Sequence, residues 1–208
     1  MDADEPVEAV GIVLAAGRSA RMGRSKPALG LGGQTFLAGA LRALGSSAPL
    51  IIVVAPGQEA AARLSAADAD ARVVVTPHPD RGMLASIRTG LDAAGHPWAF
   101  VLPVDCPAVD PRTVALLEAA VRGTGGVAAA VPVYEGRTGH PVLLGPPMHR
   151  AVREADDAGL GVSLAELLER TGEGVARVQV GDAAVLDNVN TPADLERLRA
   201  RRLAAEQG

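Results

Sequence analysis

The stretch GIVLAAGRSARMGRSKP, Gly11–Pro27, stops a short apolar run at a glycine and then places Arg18, Arg21, Arg24 and Lys26 among small residues. Ala15, Ala16 and Gly17 leave room for a ligand to approach the backbone, and N–H groups in a glycine-rich turn can hold anionic oxygens. Such a surface offers to bind a phosphorylated ligand. The plain alternative is a cationic surface loop with turn glycines. Two familiar phosphate motifs fail on spacing. A P-loop needs lysine directly after its second glycine, whereas Lys26 follows Gly23 by three positions. A dinucleotide fingerprint needs G-x-G-x-x-G, whereas Gly17 and Gly23 stand six apart.

Two further places carry ligand chemistry. FVLPVDCPAV sets Asp105 just past an apolar run, where a carboxylate could hold Mg²⁺, a cation that prefers oxygen ligands and substrate phosphates. It could equally be a turn aspartate beside Pro107. LDNVNTPADL puts Asn188 and Asn190 ahead of a helix. Their amide oxygens could complete a metal shell, or the segment could only prepare the helix cap, with Thr191 as cap and Asp194 three residues on. Cys106 reads as a space-filler, because no base or cation pattern marks it as a nucleophile. Met83 and Met148 read as packing residues. His78 and His96 lie in proline turns without ligand spacing.

The elements that must position these residues alternate between strand and helix. VEAVGIVL, PLIIVVAP, ARVVVTP, WAFVLPV, GVAAAVPVY, HPVLLG and GVARVQV read as strands. PLIIVVAP is apolar on both faces, as inside a parallel sheet covered by helices. Between them, helical patterns run through TFLAGALRALG, QEAAARLSAA, MLASIRTGLDAAG, PRTVALLEAAV, GVSLAELLERTG and TPADLERLRARRLAAEQ. Asp110-Pro111 is a helix start, with an N-cap and then proline in the first turn. The expectation is an α/β fold: one domain over 1-208, core about 9-203, built on a doubly wound, mostly parallel, Rossmann-like sheet. Ligands in such sheets sit at the carboxyl ends of strands, so the glycine loop and Asp105 should share one crevice.

Composition removes several function classes. Aromatics make up 2% of the chain, too few for surfaces that stack single-stranded bases. The net charge of −4 provides no overall positive field, and no nucleic-acid partner is expected. One cysteine cannot form an internal disulfide. No apolar run approaches the ~20 residues of a membrane helix, so no membrane partner is expected. The opening MDADEPVEAV is acidic and lacks the layout of a signal peptide, which makes the cytoplasm the expected location.

Taken in order, the segments resemble the NTP transferases of the molybdenum cofactor type. L-A-A-G-x-S-x-R-M-G-x-x-K at Leu14–Lys26 resembles their nucleotide signature. RGMLASIRTGL is similar to their G-M-x-x-S-[IL]-x-x-G segment, PVDCP to their metal-aspartate turn, and NVNTPADL to their [DN]-x-[DN]-T-P element. Ala16, where guanylyltransferases of this group carry a second glycine, resembles the cytidylyltransferase branch, as do GMLASIRTG and GHPVLL. Two departures stand beside these. Val104 replaces the glycine of the usual G-D-x-P turn, and asparagine at both positions of the closing element is similar to the guanylyltransferases.

The resemblance implies roles. Leu14, Ala15, Ala16 and Gly17 would meet base and ribose through the backbone, with Arg18 adding charge. Arg21 and Lys26 would bind the triphosphate. Gly82 and Ser86 would contact the base. Asp105 would hold Mg²⁺, completed by Asn190 and Asn188. His140 would lie on the acceptor side, or simply cap a turn before proline. The implied reaction transfers CMP from CTP to a phosphorylated acceptor, molybdopterin with molybdenum bound, and releases pyrophosphate. A molybdoenzyme or its chaperone would be the partner downstream. Three alternatives stay open: a guanylyltransferase, or a transferase with another phosphorylated acceptor; an oxidoreductase similar to nicotine-blue oxidoreductases, opposed by the missing fingerprint; and a non-catalytic cofactor chaperone, opposed by Lys26 and Asp105.

Overall fold

Side chains alternating between two buried layers along the first strand lay out the molecule. In β1 (Ala9–Leu14), Val10, Ile12 and Leu14 face one apolar layer, while Ala9 and Val13 face the other. A strand with two apolar faces must be covered on both sides, and helices cover it. The computed structural model describes residues 7–17, 26–45, 49–66, 69–123 and 125–206. After β1 come a small hairpin, β2 (Gly30–Leu31) and β3 (Gln34–Thr35), and α1 (Phe36–Ala43). β4 (Leu50–Val54), α2 (Glu59–Ala66), β5 (Ala71–Val75), α3 (Met83–Ala94) and β6 (Trp98–Pro103) follow. Then come α4 (Pro111–Val121), β7 (Ala129–Tyr134), β8 (Arg137–Thr138), β9 (Val142–Leu144) and α5 (Pro146–Asp157). The chain continues with α6 (Leu164–Thr171), β10 (Val175–Gln179) and α7 (Pro192–Glu206).

The sheet order is β10-β7-β9-β6-β1-β4-β5, with β8 paired to β7. β9 runs antiparallel to both neighbours, and the other pairs along this path are parallel. The expected doubly wound, mostly parallel α/β sheet is therefore present. One layer contains Phe36, Leu37 and Leu41 of α1 and Val114 and Leu117 of α4; the opposite layer contains Leu84, Ile87 and Leu91 of α3 and Met148 and Val152 of α5. Phe36 and Phe100, the only two phenylalanines, are both fully buried in the first layer. Aliphatic side chains supply nearly all the rest.

Caps fall where the sequence places them. The Asp110 carboxylate accepts the Arg112 N–H at 2.9 Å, with Pro111 opening α4. One helix was not anticipated. α5 starts at two prolines and carries Arg, Glu and Asp, so its apolar face is thin: Met148, Val152 and Ala155, at helical spacing, are what it buries among these charges. No helix among the described residues is long and apolar enough to cross a membrane.

Candidate active site

The strand order reverses at β1. The chain leaves β1 for β4 and β5 on one side and returns to β6 on the other, which opens a crevice at the carboxyl ends of β1 and β6. Pairing continues past both strand ends: the Ala15 N–H donates to the Val53 carbonyl at 2.8 Å, and the Val104 N–H to the Leu14 carbonyl at 3.0 Å. Here lies a cavity of about 320 Å³ lined by Leu14, Ala15, Ala16 and Gly17 from the end of β1. Its other walls are Pro103, Val104 and Asp105 after β6, Pro79, Gly82, Met83 and Ser86 around the start of α3, and Asn190 before α7.

The structure thus brings together most of the site residues expected from sequence. Arg18 and Arg21, with Arg24, lie outside the described residues. The backbone of Lys26 opens a short 3₁₀ turn, Lys26–Ala28, at the end of that segment.

Backbone contacts fix Asp105. Its carbonyl accepts the Val189 N–H at 2.9 Å, and the Cys106 N–H donates to the Pro103 carbonyl at 3.0 Å. Underneath, a Cβ on Gly39 of α1 would meet the Pro107 carbonyl at 2.4 Å, so glycine is what lets α1 pack against this turn. Cys106 is buried, as a space-filler should be.

The segment before α7 serves two purposes. The Asp194 carboxylate accepts the N–H groups of Thr191 at 2.7 Å and Asn190 at 3.0 Å, and the Thr191 hydroxyl accepts the Asp194 N–H at 3.2 Å. Hydrogen bonds from Thr191 and the Asn190 amide hold the Asp194 carboxyl below the usual carboxylate range. This is the cap expected from sequence, and it also sets Asn190 in the cavity with Asp105. Asn188 is exposed and lines a neighbouring recess between Tyr134 and α7; its side-chain oxygen accepts the Asn190 amide. A carboxylate and an amide oxygen on one cavity are hard donors, and they suit Mg²⁺ or Mn²⁺ shared with substrate phosphates.

Gly82 turns the chain into α3 at φ 91° and ψ −172°, a region open essentially to glycine alone. Ser86 lies one turn into α3, buried against the cavity. Met83 does not pack in the core as expected; it is 53% exposed at the cavity mouth, whereas Met148 is buried. His140 is not among the residues lining this cavity; its backbone N–H donates to the Val185 carbonyl at 2.9 Å. Burial pushes its pKa down against the opposing field of Asp105, and Nδ1 has no hydrogen-bond partner among the described residues.

A larger recess, about 620 Å³ between α1, α4 and α7, holds none of the expected site residues. The Asp182 carboxylate there is used structurally, accepting the Asp110 N–H at 2.9 Å and the Thr113 hydroxyl at 3.1 Å. Pro79, Met83, Pro103 and Val104 are the lining residues that sequence reasoning missed. Met83, Pro103 and Val104 stand inside the RGMLASIRTGL and PVDCP segments without being read as lining, and Pro79 had only its nearness to Gly82 as a signal.

Comparison with known proteins agrees with this geometry. The profile of the MobA-like NTP transferase domain matches residues 11–175. A probable molybdenum cofactor guanylyltransferase of Natronomonas pharaonis is 32% identical over 201 residues, 93% of this chain and 98% of that protein. Among solved structures, Rv0371c of Mycobacterium tuberculosis H37Rv is 25% identical with a TM-score of 0.76, covering 94% of this chain and 99% of its own; it has also been solved with manganese. The 2-C-methyl-D-erythritol 4-phosphate cytidylyltransferase of Thermus thermophilus is 27% identical with a TM-score of 0.71, covering 92% of this chain and 97% of its own.

Proposed function

The chain belongs to the MobA-like NTP transferase family and is a nucleotidyltransferase, and from that premise we propose that it transfers GMP from GTP to molybdopterin and releases pyrophosphate. The observation that carries this reading is Asn190, hydrogen-bonded to Asn188, on one cavity with Asp105. Paired asparagines resemble the closing element of guanylyltransferases, and the curated relatives carry that name. Transfer of CMP from CTP is the second reading. Ala16 and the segment containing Ser86 favour it, and both residues line the cavity.

In the proposed reaction an oxygen of the acceptor phosphate attacks the α-phosphorus of the triphosphate. The new P–O bond forms as the α–β anhydride bond breaks, and pyrophosphate leaves with the electron pair. A phosphate monoester is largely anionic at neutral pH, its second pKa being about 6, so no general base is needed. The protein's task is positioning and charge neutralisation. Backbone groups of Ala15, Ala16 and Gly17 seat base and ribose. Gly82 and Ser86 contact the base. Arg21 and Lys26, with Arg18 nearby, neutralise the triphosphate and the departing pyrophosphate. Asp105 and Asn190 would hold a divalent metal, which when bound supplies charge neutralisation and orientation at the phosphates. His140, neutral through burial, serves the acceptor side.

Calorimetric titration of GTP and CTP in Mg²⁺ tests the choice of base. Tighter GTP binding is expected. Tighter CTP binding would overturn the guanylyl reading and promote the cytidylyl one.

A further inference from the structure

One wall of the cavity has little of its own to hold it. Between Thr76 and Leu84 no side chain is buried, yet this turn supplies Pro79, Gly82 and Met83 to the cavity. Apolar packing therefore does not fix it, and Gly82 carries no side chain to restrict it. Within the turn, the Arg81 N–H donates to the His78 carbonyl at 3.1 Å. The stronger hold comes from outside. The Arg81 guanidinium donates to the main-chain carbonyl of Asp156 and lies 3.2 Å from Oδ1 of its carboxylate.

Asp156 is buried in the last turn of α5, and its other oxygen, Oδ2, accepts Arg88 of α3 at 3.1 Å. A buried carboxylate must be paired to be tolerated, and here each oxygen has its own arginine. The helix bearing it is itself tied to α3: Arg88 also bonds Asp157, and Arg153 Nε donates to Asp92 at 2.8 Å. The connection runs from the cavity wall through Arg81 to Asp156, and from there to two helices packed on the sheet.

We propose that Asp156 is a positioning residue for nucleotide recognition, acting through Arg81 to hold the exposed turn that sets Gly82 and Met83 against the base. The proposal rests on the reading that this cavity takes the nucleotide. Because the turn grips the base and not the reacting phosphorus, its loosening weakens ground state and transition state alike. KM rises and kcat stays.

The test titrates Mg²⁺-GTP and Mg²⁺-CTP into wild type, Arg81→Ala, Asp156→Asn, the double variant and Arg88→Ala, below their melting temperatures. Arg88→Ala cuts the same helix pair but not the tether to the turn. Arg81→Ala should raise Kd and KM about tenfold at unchanged kcat. Asp156→Asn, which keeps the main-chain carbonyl and loses only the charge, should raise them less, and the double variant should be no worse than Arg81→Ala alone. Arg88→Ala should lower Tm and leave Kd unchanged. Equal weakening by Arg88→Ala, or Arg81→Ala binding within twofold of wild type, overturns the tether while leaving the nucleotide reading intact. Wild type that binds neither nucleotide overturns both, which separates the two failures.

Discussion

Asp105 divides its work between backbone and side chain. The carbonyl takes the Val189 N–H and the following N–H closes the turn on Pro103, so the local fold draws on backbone groups that any residue would supply. Asp105→Asn keeps size and backbone while removing the negative charge from the proposed metal-binding position. Catalysis should fall by roughly 10²-fold or more, the scale of about 3 kcal/mol of lost transition-state electrostatics. Nucleotide affinity and Tm should change little. Turnover per folded molecule, measured beside a thermal melt, checks this; a lowered Tm with unchanged turnover would make Asp105 a structural residue. The glycine loop, Asp105 and Asn190 were readable from sequence because each is a short local pattern of unusual residue types. The exposure of Met83 was not, since a methionine in an apolar helix start looks the same whether it faces core or cavity. Nor was the partnership of Arg81 with Asp156, which lie far apart in the chain.

Strands and most helices followed from periodicity, and their starts from caps such as Asp110-Pro111 and Thr191 with Asp194. α5 escaped because its buried residues are few and set among charges. One of them is His149, whose Nε2 bonds the Leu144 carbonyl at 3.2 Å. A carbonyl only accepts, so Nε2 carries a proton whether the ring is neutral or charged, and it is burial that favours the neutral form. Burial lowers its pKa from the ordinary value of 6.5 against the raising effect of that bond. The unfolded chain then binds a proton at this histidine more readily than the folded one. Stability from this group is intact above about pH 6.5 and is lost as pH falls through the window below. Glu166 and Asp194, whose pKa values are lowered, keep their charge there, and buried His140 acts in the same direction as His149. The wild-type Tm should therefore drop between about pH 7 and pH 5, and His149→Gln, whose amide can still reach the carbonyl, should drop less. Parallel Tm profiles would clear His149 of the effect.

Four segments far apart in sequence, around residues 14–17, 79–86, 103–105 and 190, converge only because the sheet reverses its order at β1. Alternating elements predicted a doubly wound sheet and placed the crevice at strand ends. They could not predict that β9 would run antiparallel between β6 and β7, because a three-residue apolar strand carries no mark of its direction. Choice of base is equally collective, since Ala16 and Ser86 point one way and the paired asparagines the other. Nucleotidyl transfer itself is tested most directly by following the α-phosphate. GTP and CTP labelled at that phosphorus are incubated separately with the protein, Mg²⁺ and molybdenum-loaded molybdopterin, with a chelator control. Label should move from GTP onto the pterin in step with pyrophosphate release, and none should move when the metal is removed. Label arriving only from CTP would contradict the guanylyl assignment, and no label from either nucleotide would contradict the transferase account as a whole.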